Sequence, residues 1–130
     1  MVRMKLISAA AAVVTSLCLC PIASAAPKYK VLHNFVGSDG SGPYTGVIVG
    51  QDRNLYGTTF GGGAGGCCGT AFELEPQRDG TWTESVLHTF LNNDRDGDAP
   101  RSSLIFDAAG NLYGTTTSGG AHFSGVVFEH

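Results

Sequence analysis

The sequence predicts an all-β protein built from four-stranded antiparallel blades of the β-propeller type, and it holds about two such repeats. The hexapeptide Asn-Leu-Tyr-Gly-Thr-Thr occurs twice, at residues 54–59 and 111–116. A verbatim match 57 positions apart indicates an internal repeat. All 19 glycines follow residue 36, which disfavours long helices. Short apolar runs separated by turn residues recur along the same stretch, a pattern typical of strands.

The stretch from residue 28 to residue 90 contains five candidate strands, each bounded by turn-forming residues. They cover residues 31–35, 44–49, 55–60, 69–74 and 81–90, with a turn region at 36–43. The glycine loop Gly61–Gly66 lacks the Lys-Ser/Thr of a phosphate-binding loop, and no helical pattern follows it. This loop is therefore expected to connect two strands.

The second repeat follows the same order. Residues 86–90 repeat 31–35 at a shift of 55, and residues 125–129 repeat 69–73 at a shift of 56. The small differences between these shifts arise from insertions and deletions in loops, where changes of length are tolerated. We assign residues 26–85 to repeat 1 and residues 86–130 to repeat 2, which is truncated.

Two blades would make an incomplete propeller. A single blade cannot bury both of its faces, and propellers close with about four to eight blades. Repeat 2 also stops at His130, partway through the strand that continues in repeat 1. We therefore expect either that the sequence is a fragment of a longer protein or that several copies self-associate to complete the propeller.

The first 25 residues have the pattern of a secretory signal peptide. Arg3 and Lys5 precede the apolar run 6–19, and Ala23-Ser24-Ala25 provides a small-residue cleavage site. The run is short for a membrane span. We expect export to the periplasm, cell envelope or medium, with no membrane span in the mature chain.

The mature chain would be acidic. Eight basic residues less Arg3 and Lys5 leave six, which against eleven acidic residues gives a net charge of −5 after residue 25. No basic patch remains that would favour nucleic acid or anionic lipid. A nucleic-acid partner is therefore excluded from the expected functions.

Two of the four cysteines, Cys18 and Cys20, lie in the signal-like segment, where bulky Leu19 argues against lipid attachment. The remaining Cys67 and Cys68 are adjacent and close no long loop, so a bond between them cannot cross-link distant parts of the fold. A vicinal disulfide, a bond between two chains and free thiols all remain open, and an oxidised local turn is the simplest interpretation.

The repeated strings together resemble one known family. They are Trp82–Phe90, Asp96-Gly97 with Pro100, Leu104–Asp107, Gly110–Thr116, Gly119-Gly120 and Gly125–Phe128. They resemble the GloVer-type tandem-repeat proteins, which are exported, mostly bacterial and of unassigned biochemical role, with a C-terminal surface anchor in some members. The resemblance covers nearly all of residues 29–130. It implies export and a propeller-like repeat fold, and it offers no catalytic residues to carry over. Repeat 1 departs from the pattern at Gln51-Asp52-Arg53.

One loop resembles the first half of a calcium-binding loop. Oxygen-bearing side chains alternate at Asn92, Asp94 and Asp96, and Gly97 stands at the turning position. Ser103 occupies the position of the bidentate carboxylate and cannot supply it. A solvated acidic turn is the competing interpretation, and calcium is the only cofactor that the sequence suggests.

Histidine and tryptophan are two further residue types that could form a site. His33 and His88 occupy equivalent strand positions, which favours a packing role over metal binding. Trp82, at the start of a strand, is a candidate to stack on a sugar ring.

The sequence thus predicts an exported, non-catalytic binding or structural module, with a polysaccharide or cell-surface partner. The alternative is a fragment of a secreted propeller enzyme acting on polysaccharide. An enzyme of that type needs paired carboxylates held in register, and only Asp94, Asp96 and Asp98 cluster in sequence.

Overall fold

The strands confirm the all-β prediction. A computed structural model describes residues 28–130, so the predicted signal peptide at 1–25 lies outside the described residues. The described residues form eight strands and no helix, so none of them could cross a membrane as a helix. The strands are β1 Ile48–Val49, β2 Leu55–Thr59, β3 Thr70–Pro76, β4 Trp82–Thr89, β5 Gly97–Pro100, β6 Ile105–Phe106, β7 Leu112–Gly119 and β8 Val127–Glu129.

Strands β1 to β4 form the first sheet, an antiparallel meander in sequence order. The longest ladder joins β3 to β4, from Thr70 opposite Thr89 to Pro76 opposite Trp82. A tight turn closes this hairpin, where the amide of Gln77 donates to the carbonyl of Thr81 at 2.8 Å.

Strands β5 to β8 form the second sheet around β7. Strand β5 pairs with the second half of β7, and β6 pairs with its first half. Tyr113 on β7 lies opposite Ile105 of β6 and also opposite Glu129 of β8, so β6 and β8 flank β7 on opposite sides. The second sheet therefore has the plan of the first, and no described residue takes the place of β4.

In both copies of the hexapeptide, the glycine packs against an aromatic ring of the neighbouring strand. A Cβ added at Gly57 would lie 2.7 Å from Cζ of Phe72, and one added at Gly114 would lie 2.5 Å from Cζ of Phe128. Real Cβ atoms do not approach a ring this closely. Glycine is therefore required at this position because the ring of the neighbouring strand packs on bare backbone.

The last threonine of each hexapeptide fastens the loop that follows its strand. Thr59 Oγ1 accepts from the amide of Thr70 at 3.0 Å and donates to a loop carbonyl. Thr116 Oγ1 accepts from the amide of Val126 at 3.1 Å and makes the same type of donation. Both threonines are buried. The two repeats thus anchor the loop after the hexapeptide through the same kinds of hydrogen bond.

The sheets meet through Phe90, which leaves the first sheet at the end of β4. Its side chain is 1% exposed and packs with Ala71 and Cys68 of the first sheet. Its ring lies edge-on to Phe128 of the second sheet, with centroids 5.1 Å apart. The amide of Ala99 donates to the carbonyl of Cys68 at 2.9 Å beside this cluster. The core therefore lies between the sheets.

Two of the predicted strands are wrong or too long. Residues 31–35 form no strand, because they find no partner strand among the described residues. Of residues 44–49, only Ile48–Val49 is a strand. The predicted turn region 36–43 contributes one bridge, between Ser41 and Gly61, whereas its counterpart in repeat 2 forms β5.

The sheets and the sequence repeats are out of phase by one strand. Strand β4 crosses the position, after residue 85, at which repeat 1 gives way to repeat 2. Its counterpart in repeat 1 is the segment 31–35, which precedes the whole first sheet. Four-stranded antiparallel sheets are shown, and a closed propeller is not seen in the described residues.

The close approach at Gly114 predicts a large effect of one added methyl group. Gly114→Ala should destabilise the fold by about 1–3 kcal/mol, because the new Cβ forces Phe128 or Leu104 from its place. Gly46 has no atom within 4 Å of an added Cβ, so Gly46→Ala should leave stability unchanged or raise it slightly. Urea unfolding followed by circular dichroism measures both. Equal effects of the two substitutions would contradict the packing described here.

Candidate functional site

Each repeat holds one histidine between a carboxylate and a phenylalanine ring. His33 Nε2 lies 2.9 Å from Asp39 Oδ2, and its ring is edge-on to Phe35 with centroids 4.8 Å apart. His88 makes the same contacts with Asp96, at 3.0 Å, and with Phe90. The recurrence of one arrangement in both repeats agrees with a packing role for the two histidines.

The carboxylate of Asp39 is held ionised by donors around it. Burial opposes ionisation, but hydrogen bonds from the amide of Val36 and from His33 keep the pKa of Asp39 below its usual value. The equivalent Asp96 accepts from the amide of Leu91 at 3.1 Å and from His88. Each aspartate therefore ties a turn to the histidine of its own repeat.

Glu84 on β4 adds a third ionisable group beside His33 and Asp39. The metal-binding atoms of these three side chains all lie within 4.8 Å of one another. Oε1 of Glu84 is buried and has no hydrogen-bond partner among the described residues. Burial, followed by the nearby charge of Asp39, raises the pKa of Glu84, and His33 opposes the rise. The cluster has the donors to hold a shared proton or a small divalent cation.

A cleft of about 210 Å³ opens where the two sheets meet. The turn after β1 forms one wall, and β6 with the turn after it forms the other. Its lining residues are Gly50, Gln51, Asp52, Tyr56, Phe106 and Gly110. The rings of Tyr56 and Phe106 meet edge to face with centroids 5.0 Å apart. The cleft therefore combines apolar ring surface with carboxylate, amide and backbone groups.

Tyr56 lies between two carboxylates. Its hydroxyl is 2.7 Å from Asp52 Oδ2 and 2.7 Å from Glu73 Oε1. Burial and these two hydrogen bonds raise the pKa of Tyr56 above its ordinary value, so the phenol stays protonated. The hydrogen bond from Tyr56 and one from the amide of Asn54 lower the pKa of Asp52. At neutral pH the cleft thus presents an ionised carboxylate next to a neutral phenol.

The calcium-loop candidates are not arranged as a set of free ligands. Both carboxylate oxygens of Asp96 lie within hydrogen-bond distance of His88 Nε2. Asn92 and Asp94 are exposed, and Asn93 caps the turn by accepting from the amides of Arg95 and Asp96. Calcium binding at Asn92, Asp94 and Asp96 stays a prediction.

The cysteine pair lies in the loop between β2 and β3, and Trp82 lies at the start of β4. Cys67 and Cys68 are joined as a vicinal disulfide, and Cys68 belongs to the core cluster with Ala71 and Phe90. Trp82 is partly buried at the start of β4, opposite Pro76, and is not among the residues that line the cleft. Sugar stacking by Trp82 and the state of the cysteines in solution stay predictions.

Sequence reasoning missed the cleft and the Glu84 cluster. Tyr56 belongs to the repeated hexapeptide and Phe106 lies 50 residues away on the other sheet, so the sequence does not indicate that they meet. The available signal was Gln51-Asp52-Arg53, where repeat 1 departs from the Ala-Ala-Gly of repeat 2. That departure places polar side chains on one wall of the cleft.

The duplicated hexapeptide, the common plan of the two sheets and the paired histidine contacts define an all-β tandem-repeat protein. The sequence matches the Gloeobacter/Verrucomicrobia repeat over residues 19–130. The chain therefore belongs to this repeat family, as the resemblance to GloVer-type proteins predicted. No curated protein and no solved structure matches it.

The raised pKa of Glu84 predicts a stability effect with a defined sign. A carboxyl group with a raised pKa favours folding while it is protonated. That contribution is lost as the pH rises from the ordinary glutamate pKa of 4.5 through the raised pKa of Glu84. Glu84→Gln should therefore raise the melting midpoint at pH 7 by roughly 2–4 °C, and the gain should shrink toward pH 4.

Glu75→Gln, at an exposed position on β3, serves as the matched control and should not change the midpoint. Thermal melting from pH 4 to pH 8 gives both profiles. A lower midpoint for Glu84→Gln at pH 7 would mean that the ionised carboxylate stabilises the fold, against the expectation from its burial.

Proposed function

We propose that this chain is an exported, non-catalytic binding module whose inter-sheet cleft holds a sugar ring of a cell-surface or extracellular polysaccharide. The observation that carries the proposal is the lining of the cleft. Phe106 and Tyr56 supply apolar ring surface, and Gln51 and Asp52 supply hydrogen-bonding groups next to it. Sugar rings present one apolar C–H face and a rim of hydroxyls, which such a mixed lining complements.

The size and charge of the cleft narrow the ligand class. Its volume of about 210 Å³ is below the roughly 300–1,000 Å³ of pockets for drug-sized ligands, so one monosaccharide unit is the expected occupant. The ionised Asp52 and the acidic character of the chain after residue 25 disfavour uronic acids. A neutral or amino sugar is the proposed ligand, and binding it requires no cofactor.

The electrostatics of the cleft support binding rather than catalysis. A glycosidase needs one carboxyl group with a raised pKa to act as general acid. The pKa of Asp52 is lowered, and Glu73 accepts hydrogen bonds from Tyr56 and from Asn54 Nδ2. The two carboxylates serve to hold Tyr56 in place. The alternative, a piece of a secreted polysaccharide-degrading propeller enzyme, would draw its acid and base from elsewhere.

The signal-like residues 1–25 support export, because their charged start, apolar run and small-residue end fit the secretory pattern. Export to the periplasm, envelope or medium would bring the cleft into contact with polysaccharide. It would also place Cys67 and Cys68 where a disulfide persists.

Gln51→Ala should weaken sugar binding about three- to tenfold, the effect of one lost hydrogen bond. Alanine suits this turn, because residue 108 at the equivalent position of repeat 2 is alanine. Titration calorimetry with a panel of neutral, amino and acidic oligosaccharides measures the affinity. Gln77→Ala, in the turn between β3 and β4, is the matched control and should bind as the parent chain does.

Release of reducing sugar from the same panel separates the two functions. The proposal requires binding of a neutral or amino sugar without turnover. Turnover would establish the enzyme instead, and equal affinities of the Gln51→Ala and parent chains would place the ligand outside the cleft.

A further inference from the structure

The second sheet exposes a surface that its counterpart in the first sheet buries. We call it the trailing surface and define it by Ile105, Tyr113, Thr115, Val127 and the outer edge of β8. In the first sheet, Ala71 occupies the place of Val127, and Ala71 is 0% exposed whereas Val127 is 78% exposed. A shallow cavity of about 170 Å³ lies over the trailing surface, lined by all four of these side chains.

The residues that bury the equivalent surface of the first sheet indicate what could bind to the trailing surface. This equivalent surface is covered by residues from the start of the second sheet. Phe90 packs on Ala71, and Phe106 packs on Tyr56. The carbonyl of Ser102 lies 3.5 Å from the hydroxyls of Thr45 and Thr58. The surface buried between the two sheets therefore consists of this side of the first sheet and the opposite side of the second sheet.

The first sheet carries its own leading side, and it is exposed. We call this the leading surface and define it by Val31, Phe35 and Val49. Phe35 and Val49 are the repeat 1 counterparts of Phe90 and Phe106. Val49 is 66% exposed and Val31 49%. The chain thus presents both halves of an interface that it already forms once internally.

We propose that copies of this chain assemble head to tail, with the leading surface of one copy docked on the trailing surface of the next. The occupant of the trailing surface is a second copy because that copy carries the repeat 1 counterparts of the residues that cover the first sheet. Exposed apolar surface on both sides would be buried by this contact.

The same comparison gives the strand pairing at the junction. Within the chain, β4 pairs with β3 through Ala71 with His88, Phe72 with Val86 and Glu73 with Ser85. The segment 29–34 is the counterpart of residues 84–89 of β4, and no described residue pairs with the outer edge of β8. Transferring the register pairs Val127 with His33, Phe128 with Val31 and Glu129 with Lys30. The last pair joins opposite charges across the strands.

The incoming segment already makes two of the contacts that its counterpart makes. His88 and Phe90 keep their contacts with Asp96 and Phe128 while β4 pairs with β3. His33 makes the same contact with Asp39, and Phe35 lies edge-on to Phe72 with centroids 5.0 Å apart. These contacts hold the segment on its own sheet before docking, which lowers the entropic cost of association.

A head-to-tail contact uses two different surfaces, so it forms closed rings or open filaments. Each chain contributes two sheets, and propellers close with about four to eight. A ring of two to four copies is therefore expected. In such a ring every sheet would gain the neighbour that the first sheet already has.

The junction is tested by cross-linking at one predicted pair. Residues opposite each other in an antiparallel ladder have Cα atoms about 4.5–5.5 Å apart, which suits a disulfide. The double variant Lys30→Cys, Glu129→Cys is purified after the cell has exported and processed it. On a non-reducing gel it should form covalent rings or ladders. Lys28→Cys with Glu129→Cys, which is out of register by two residues, is the matched control and should cross-link at least tenfold less.

Light scattering on the parent chain and on Val127→Lys completes the test. The parent should show a mass of two to four chains, and Val127→Lys should show the mass of one. Thr83→Lys, which adds the same charge at an exposed position of β4, should keep the parent mass. A single-chain mass for the parent, or equal cross-linking of the two cysteine pairs, would overturn the proposal.

Discussion

The contact between the two sheets depends on the packing of Phe90. This side chain belongs to the end of β4 by sequence, yet its ring is enclosed by Ala71 and Cys68 of one sheet and by Phe128 of the other. Burying an aromatic side chain of this size contributes several kcal/mol to stability. Because Phe90 also lies in the segment that connects the two sheets, the chain connection and the packing contact are at the same place.

Two smaller constraints set the position of Phe90. His88, two residues earlier on β4, is hydrogen-bonded to Asp96, and that carboxylate also holds the amide of Leu91. The aspartate thereby fixes the backbone on both sides of the ring. On the second sheet, Gly114 leaves the space that Phe128 needs to reach the contact. The repeat preserves these residue types in both copies because each depends on the geometry of the others.

The cleft is a consequence of how the sheets are joined. Phe90 and Ala99 hold the sheets together at Cys68 and Ala71, and Tyr56 with Phe106 forms a second contact toward the turns. The cleft opens beyond that second contact, between two turns that differ in sequence. Conserved strand packing with variable turns allows one repeat scaffold to present different surfaces.

The repeat made much of the fold predictable. The duplicated hexapeptide placed β2 and β7, and the shift of 56 placed β3 and β8 within a few residues. The segment 31–35 was predicted as a strand because its residues alternate in the pattern of a strand. Local pattern, however, does not supply a partner strand. Glu84 and the pair of His33 and Asp39 are about 50 residues apart, and Tyr56 and Phe106 likewise, so only the folded chain shows that they meet.

Phe90 makes the two sheets one cooperative unit. Native-state hydrogen exchange in the parent chain and in Phe90→Leu tests this cooperativity at two matched amides, Thr70 and Val126, each of which donates to a buried threonine hydroxyl. Both amides should lose protection by the same amount, about 1–3 kcal/mol. Loss of protection at Val126 with none at Thr70 would instead show that the sheets open independently and that Phe90 does not couple them.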